Sequence, residues 1–135
     1  MARRIPPTDV LITLMGSPNE DDRTTTALRL AQALLERGAS VQIWTCGNAT
    51  LLTQRGLTDD KPRNLASWNS AYPTTAALAQ RMLKAFPDQL YWYGCRFCSD
   101  DRGAVDHLPE VVMRPPAGYA ANVAAATRNL MVGVI

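Results

Sequence analysis

The sequence predicts a three-layer α/β/α sandwich built on a mostly parallel sheet of about five strands. Short apolar runs of strand length alternate with amphipathic helical segments along the chain, which is the pattern of an α/β fold. The first run, "DVLITLMG", is almost continuously apolar, as in a strand that is buried on both faces of a parallel sheet. The 135 residues contain no repeat, low-complexity tract or linker, so we interpret residues 1–135 as one domain.

The first third of the chain predicts a parallel β–α–β unit. Residues 9–16 form the opening strand, which ends at a glycine. The helix that follows has apolar residues at helical spacing, and Asn19 or Ser17 is its predicted N-terminal cap. The β-branched and aromatic residues of 40–47 form the second strand. Such units are almost always right-handed and parallel.

The middle of the chain predicts less regular structure. Residues 48–56 favour a short helix that ends at a glycine, and residues 57–72 are typical of a polar loop. A loop of this length is often functional, and we expect its Trp68 to cover the site as a lid. Residues 73–86 form a helix with proline in its first turn.

The last third predicts two more helical segments and the remaining strands. Residues 89–95 form the third strand, and the next segment allows one or two helical turns that end at Gly103. Residues 109–116 offer a short strand stopped by two prolines. An alanine-rich helix over 118–129 and a final strand over 130–135 complete the prediction.

Composition excludes several classes of protein. The 14 basic and 12 acidic residues give a net charge of only +2, which does not favour nucleic acid or a membrane surface as a partner. Three cysteines in 135 residues do not make a secreted disulfide framework. The opening apolar run is too short for a signal peptide or a membrane span. We therefore expect a cytoplasmic protein in a reducing compartment.

The carboxyl ends of the strands are the predicted location of the site, as is usual in open α/β sheets. Three loops qualify, at residues 16–22, 46–50 and 94–103. Cys46 closes the second strand and Cys95 closes the third. The first loop, "GSPNEDDRTTT", lacks the lysine of a phosphate-binding loop and carries carboxylates, so we do not predict a nucleotide site there.

Cys95 and Cys98 form a C-x-x-C pair at a strand end, which favours chemistry over packing alone. A thiol at the N-terminus of a helix has a lowered pKa because the backbone N–H groups stabilise its thiolate. Arg96 and Arg102 add to this effect, whereas the two aspartates that follow oppose it. Such a pair can be a redox dithiol, half of a metal site, or a nucleophile with a neighbour.

A zinc set of three cysteines and His107 is one possibility at this edge of the sheet. Structural zinc sites usually show two paired motifs, however, and only one pair is present. We predict no metal and no cofactor, and we interpret His107 as a surface or hydrogen-bonded residue. Cys46 is either a buried thiol or a third member of the site.

Residues 95–103, "CRFCSDDRG", resemble a segment of the DsrE/DsrF-like family of bacterial sulfur-relay proteins. Family members carry a cysteine at the end of this strand, with Arg-Gly seven and eight residues later, and Cys95, Arg102 and Gly103 match that spacing. One subgroup has a second cysteine where Cys98 lies. The resemblance extends over most of the chain, although the acidic first loop is unlike the family.

The resemblance implies a sulfurtransferase-like carrier that holds a persulfide on Cys95 and exchanges sulfur with donor and acceptor proteins. It also implies a three-layer α/β/α fold and assembly as homotrimers or hexamers. Cys98 is the second catalytic candidate, as a resolving thiol. We predict partner or substrate contacts at the residues that flank these thiols, namely Gly94, Arg96, Arg102, Gly103 and Cys46.

Two alternatives stay open beside the sulfur carrier. The first is a dithiol redox protein that uses Cys95 and Cys98 as a pair. The second is a non-catalytic, oligomeric α/β module that binds a small ligand at the strand ends.

Overall fold

The computed structural model describes residues 4–16, 19, 21–56 and 72–133. In chain order, the regular elements are β1 (Thr8–Met15), α1 (Asp22–Glu36), β2 (Val41–Cys46), a 3₁₀ helix (Gly47–Thr53), α2 (Thr75–Ala85), β3 (Leu90–Cys95), α3 (Arg96–Asp101), β4 (Val112–Arg114), a second 3₁₀ helix (Pro116–Gly118), α4 (Tyr119–Ala125) and β5 (Ala126–Val132).

The five strands form one sheet in the order β4-β3-β2-β1-β5. Every neighbouring pair is parallel. Helices lie around this sheet, which confirms the predicted three-layer α/β/α class. Because all strands run the same way, their carboxyl ends meet along one edge of the sheet.

The two faces of the sheet are covered by different helices. Alternation along each strand sends successive side chains to opposite faces. One face, which we call the α1/α2 face, packs against the apolar sides of those two helices and contains Ile12, Ile43 and Trp92. The opposite face, the α4 face, contains Leu11 and Trp44 and is covered by the short α4.

Buried polar groups fasten α4 to its face of the sheet. The hydroxyls of Thr13 and Tyr119 are 2.6 Å apart. The amide of Asn122 donates to Gln42 Oε1 at 2.9 Å, and Gln42 in turn donates to Thr8 Oγ1 at 2.8 Å. Asn122 and Gln42 are fully buried, so these hydrogen bonds satisfy groups that would be costly to leave unpaired.

The alanine-rich helix is shorter than the sequence predicts. The prediction of a helix to residue 129 and a strand from 130 is wrong, since α4 ends at Ala125 and β5 begins at Ala126. Ala126 pairs with Thr8, and the ladder continues to the pairing of Val132 with Leu14. Backbone hydrogen bonds to β1 therefore override the helical propensity of alanine.

The cap of α1 also differs from the prediction. Asp21, not Asn19 or Ser17, is the N-cap, and its carboxylate accepts hydrogen bonds from the N–H groups of Arg23 and Thr24. Aspartate is a suitable N-cap because its carboxylate accepts hydrogen bonds from backbone N–H groups, and because its negative charge is stabilised by the positive end of the helix dipole.

Several predictions fall partly or wholly outside the described residues. Trp68 lies outside them, and so does the predicted loop over 57–72 except for its last residue. None of the helices in the described ranges has the length and apolar character needed to cross a membrane.

Candidate functional site

Three cysteines converge at the carboxyl edge of β2 and β3. In the register of these strands, Trp44 lies beside Tyr93 and the next residues, Thr45 and Gly94, are also partners. One residue further, both strands end in cysteine, so the pleat directs Cys46 and Cys95 toward the same face.

Cys98 completes the cluster from α3, which starts directly after Cys95. The Sγ atoms of Cys46, Cys95 and Cys98 all lie within 4.8 Å of one another. The sulfur atoms of Cys46 and Cys98 are 3.7 Å apart, which is hydrogen-bonding distance for thiols. We call these three residues the thiol cluster. All three are free cysteines, and all belong to the α4 face.

Two of the three thiols are held in the protonated form. Burial, and then a hydrogen bond that its thiol donates to Cys98, raises the pKa of Cys46 to about 11. Burial also raises the pKa of Cys95, which is only 3% exposed. The N–H groups of Phe97 and Cys98 act in the opposite direction at Cys95, but they do not compensate for its burial.

Cys98 is the acidic thiol of the cluster. Burial by itself raises its pKa, but hydrogen bonds from the N–H of Gly47 and from the two other thiols, together with the charge of Arg102, lower the pKa below its usual value. The sequence leaves open how the helix N-terminus and the neighbouring charges balance at Cys95, and in the structure burial outweighs them and raises its pKa. The lowered pKa belongs to the half-buried Cys98, whose thiolate receives hydrogen bonds from its neighbours.

Arg102 connects the two loops that carry the cluster. Its Nε donates to Asn48 Oδ1 at 2.6 Å, and its NH1 donates to the Cys98 carbonyl at 3.1 Å. The same guanidinium lies 3.5 Å from the Asp101 carboxylate. Arg102 thus fixes the end of α3 against the 3₁₀ helix after β2, and it supplies positive charge beside Cys98.

His107 connects α3 to the first 3₁₀ helix through its two ring nitrogens. Its Nε2 is 2.7 Å from Ser99 Oγ, and its Nδ1 is 3.0 Å from Thr53 Oγ1. Ser99 Oγ donates to the carbonyl of Ala104, so it accepts from His107 Nε2, and Nδ1 then accepts from Thr53. Burial lowers the pKa of His107 and favours this neutral form. The interpretation of His107 as a hydrogen-bonded residue agrees with these contacts.

The flanking residues named from the sequence occupy different environments. Arg96 is exposed. Gly94 is buried, and a Cβ atom there would lie 2.9 Å from Met113 Sδ, so its small size allows β4 to pack against β3. Gly103 has a φ of +67° directly after the C-cap of α3, the conformation expected of the glycine that ends this helix.

A separate cavity of about 440 Å³ is lined by residues of β3 and β4 and by Arg4 near the start of the chain. Tyr91, Trp92 and Arg114 are among its lining residues, and no cysteine lines it. The cavity is therefore distinct from the thiol cluster at the strand ends.

Comparison with known proteins identifies the fold. No family model matches the sequence, and no curated protein matches it. Among solved structures, the chain is similar to the crystal structure of the ychN protein from E. coli, with a TM-score of 0.72 at 20% identity over 92% of this chain and 98% of that one. The fold is DsrE-like. The likeness supports the resemblance to the DsrE/DsrF-like family at the level of the fold.

Sequence reasoning missed two residues that shape the cluster. Gly47 adopts a φ of +60° immediately after Cys46, and its N–H lowers the pKa of both Cys46 and Cys98. Asn48 accepts the hydrogen bond from Arg102. The signal was the pair Gly-Asn after a strand-ending cysteine, which is a common turn sequence.

Proposed function

We propose that this protein is a sulfur carrier, a sulfurtransferase-like protein that receives persulfide sulfur from one protein, holds it on Cys95 and passes it to another. The observation that carries the proposal is the thiol cluster, whose three sulfur atoms lie within 4.8 Å of one another. A persulfide needs a thiolate to receive the sulfur and shelter from solvent and oxidants afterwards. The DsrE-like fold is compatible with such a relay.

The cluster divides these two requirements between two thiols. Cys98 is half-buried with a lowered pKa, so it is the thiol that meets the donor. Its thiolate attacks the outer sulfur of the donor persulfide, the bond between the donor's two sulfur atoms breaks, and the donor leaves as a thiolate.

The sulfur then moves inward to Cys95. The Cys95 sulfur attacks the outer sulfur of the Cys98 persulfide, and the Cys95 proton passes to the departing Cys98 thiolate. Neither step consumes an oxidant or a reductant, because the same sulfur atom is exchanged between thiols. Cys95 is 3% exposed, so the stored persulfide is sheltered.

Mass spectrometry of the intact protein tests the proposal. The protein is incubated with a cysteine desulfurase and cysteine, freed of the donor, and measured beside Cys95→Ala, Cys98→Ala and Cys46→Ala. We expect one added sulfur atom in the wild type, assigned to Cys95 by peptide mapping. Cys95→Ala receives sulfur on Cys98 but does not store it, so its adduct is lost after the donor is removed. Cys98→Ala loads more slowly than the wild type but to the same extent. Cys46→Ala also loads more slowly, since the hydrogen bond from Cys46 lowers the pKa of Cys98.

An adduct on Cys98 in Cys95→Ala that persists as long as the wild-type adduct after the donor is removed would refute storage on Cys95. Absence of any adduct in the wild type, also with polysulfide as the donor, would refute the carrier itself. Circular dichroism of each variant separates loss of the thiol from loss of the fold.

A dithiol redox function is the second candidate, and the distance of 3.7 Å between the sulfurs of Cys46 and Cys98 favours it. This pair differs from the C-x-x-C pair that the sequence suggests. Oxidation would join β2 to α3 and remove two hydrogens from the mass. A two-hydrogen loss that needs Cys46 and Cys98, with no sulfur adduct, would support this function in place of the carrier.

Self-association also belongs to the proposal. β5 is an edge strand, and its Leu130 and Met131 are 42% and 69% exposed. Exposed apolar side chains on an edge strand favour contact with another chain. Light scattering should give a mass above that of the monomer, and Met131→Lys should reduce it.

A further inference from the structure

The thiol cluster presents a donor set made only of sulfur. Soft thiolate ligands select thiophilic ions such as Cu⁺ and Zn²⁺ over hard cations. Within the described ranges, no histidine or carboxylate joins Cys46, Cys95 and Cys98 in a group of this kind. We propose that the cluster binds one thiophilic d¹⁰ metal ion, Cu⁺ or Zn²⁺, through these three sulfur atoms.

The spacing of the sulfur atoms fits this coordination. With metal–sulfur bonds of about 2.3 Å, three sulfurs around one ion are separated by about 3.8 Å in a tetrahedral arrangement and about 4.0 Å in a trigonal plane. The sulfurs of Cys46 and Cys98 are already 3.7 Å apart, and no pair exceeds 4.8 Å. Shifts of about 1 Å or less, within the reach of χ1 rotation, would close the site around the ion.

The three ligands are fixed by separate elements before any ion arrives. Cys46 ends β2, Cys95 ends β3 and Cys98 lies in α3, so the sheet register and the β3–α3 junction set their separations. A site assembled in this way does not need to order the chain when it binds, which favours affinity.

Surrounding groups suit the negative charge of a metal–thiolate centre. The negative charge of three thiolates is larger than the positive charge of either ion. The remaining negative charge lies near Arg102 and the N–H of Gly47, both of which favour the Cys98 thiolate. Asn48 holds the Arg102 guanidinium in place. Each coordinated thiol releases its proton to solvent as its metal–sulfur bond forms, as is usual for thiol ligands.

His107 is not available as a fourth ligand, because Ser99 and Thr53 occupy its two ring nitrogens. A three-sulfur set suits Cu⁺ without any addition, whereas Zn²⁺ would complete its usual four ligands with water. The proposal therefore differs from a zinc site of three cysteines and a histidine.

Two anaerobic titrations test the site on reduced, chelator-treated full-length protein in the absence of any sulfur donor. In the first, Cu⁺ is shared between the protein and the chelator bathocuproine disulfonate. In the second, Co²⁺ replaces Zn²⁺ and reports thiolate ligands by its charge-transfer absorption. We expect one ion per chain in at least one titration, and an affinity at least tenfold weaker in each of Cys46→Ser, Cys95→Ser and Cys98→Ser.

The matched control is Leu30→Ala, which shortens an exposed side chain on α1 and leaves the cluster intact; its affinity should equal that of the wild type. A second readout needs no variant: a bound ion should protect all three cysteines of the wild type from alkylation, counted by intact mass. Lack of a one-to-one complex with either ion, or equal affinity in the wild type and the three serine variants, would overturn the proposal.

Discussion

The two faces of the sheet serve different purposes. The α1/α2 face is closed by two long amphipathic helices and contains most of the buried apolar side chains. Among the residues that the structure describes, the apolar cluster of the α4 face has four buried members, and one of them is Cys95. Hydrogen bonds among Thr8, Gln42 and Asn122 contribute to its cohesion.

The difference between the two faces separates stability from chemistry, since the apolar core lies on the α1/α2 face and the thiol cluster lies on the α4 face. Apolar burial contributes about 25 cal/mol per Å², so the α1/α2 face supplies most of the hydrophobic stabilisation. The α4 face carries the thiol cluster at the carboxyl edge, where Cys46 and Cys98 are half-buried and Cys95 is buried. The following variants test this separation.

We expect the largest loss of stability in the pair of variants Ile12→Ala and Leu11→Ala, which truncate one side chain on each face of the sheet. These fully buried neighbours in β1 face opposite sides of the sheet. Each truncation should lower the free energy of unfolding by about 2–5 kcal/mol, measured by urea denaturation. Only Leu11→Ala should also change the alkylation rates of the cysteines, since Leu11 packs in the cluster that contains Cys95.

We expect the next largest loss of stability in the pair of variants Gly47→Ala and Gly38→Ala. Both glycines have positive φ values, +60° and +87°, and a Cβ added at either would meet no atom within 4 Å, so each alanine costs about 1–2 kcal/mol in backbone strain alone. Only Gly47→Ala should also slow alkylation of Cys98, because strain at this positive φ shifts the residue 47 N–H away from the thiolate that it stabilises. Equal alkylation rates of Cys98 in the two variants would show that the backbone conformation at residue 47 does not control the reactivity of this thiol.

Alkylation of the metal-free wild type should distinguish the thiols themselves. The pKa of Cys98 lies below the usual 9.0 and that of Cys46 is about 11, so the thiolate fraction near pH 7.5 differs by more than about a hundredfold. Thiolate reactivity falls with pKa, which leaves a rate advantage of about tenfold or more for Cys98. Iodoacetamide labelling with peptide mapping checks this order, and earlier labelling of Cys46 would contradict it.

The smallest effect is the pH dependence contributed by His107. Burial lowers its pKa in the folded protein below the usual 6.5, so the unfolded chain binds the proton more readily. Stability from this group is present above pH 6.5 and is lost as the pH falls. In His107→Gln, the decrease in the free energy of unfolding between pH 7 and pH 5 should be smaller. If the free energy of unfolding depends on pH in the same way in both proteins, the pKa of His107 does not change on unfolding.

The sequence correctly predicts the strands and helix ends for which the local pattern of apolar and turn residues favours the same structure as the tertiary contacts. The strands ending in Cys46 and Cys95 and the glycine that ends α3 all lie where their patterns place them. The end of α4 was missed because alanine favours a helix at residues where pairing with β1 decides the outcome. The helix N-terminus after Cys95 is visible in the sequence, whereas the burial that raises the pKa of this thiol is not.

The sequence by itself determined that this chain forms a parallel α/β sheet with cysteines at two of its strand ends, because hydrophobic period and turn residues are local properties. Only the tertiary structure decided that Cys46 joins the C-x-x-C pair, since that contact spans 52 positions and depends on the β2–β3 register. It also decided which thiol is acidic. The pKa of a thiol reflects its burial, its hydrogen bonds and nearby charge, and these arise only when Gly47 and Arg102 meet Cys98 in the folded chain.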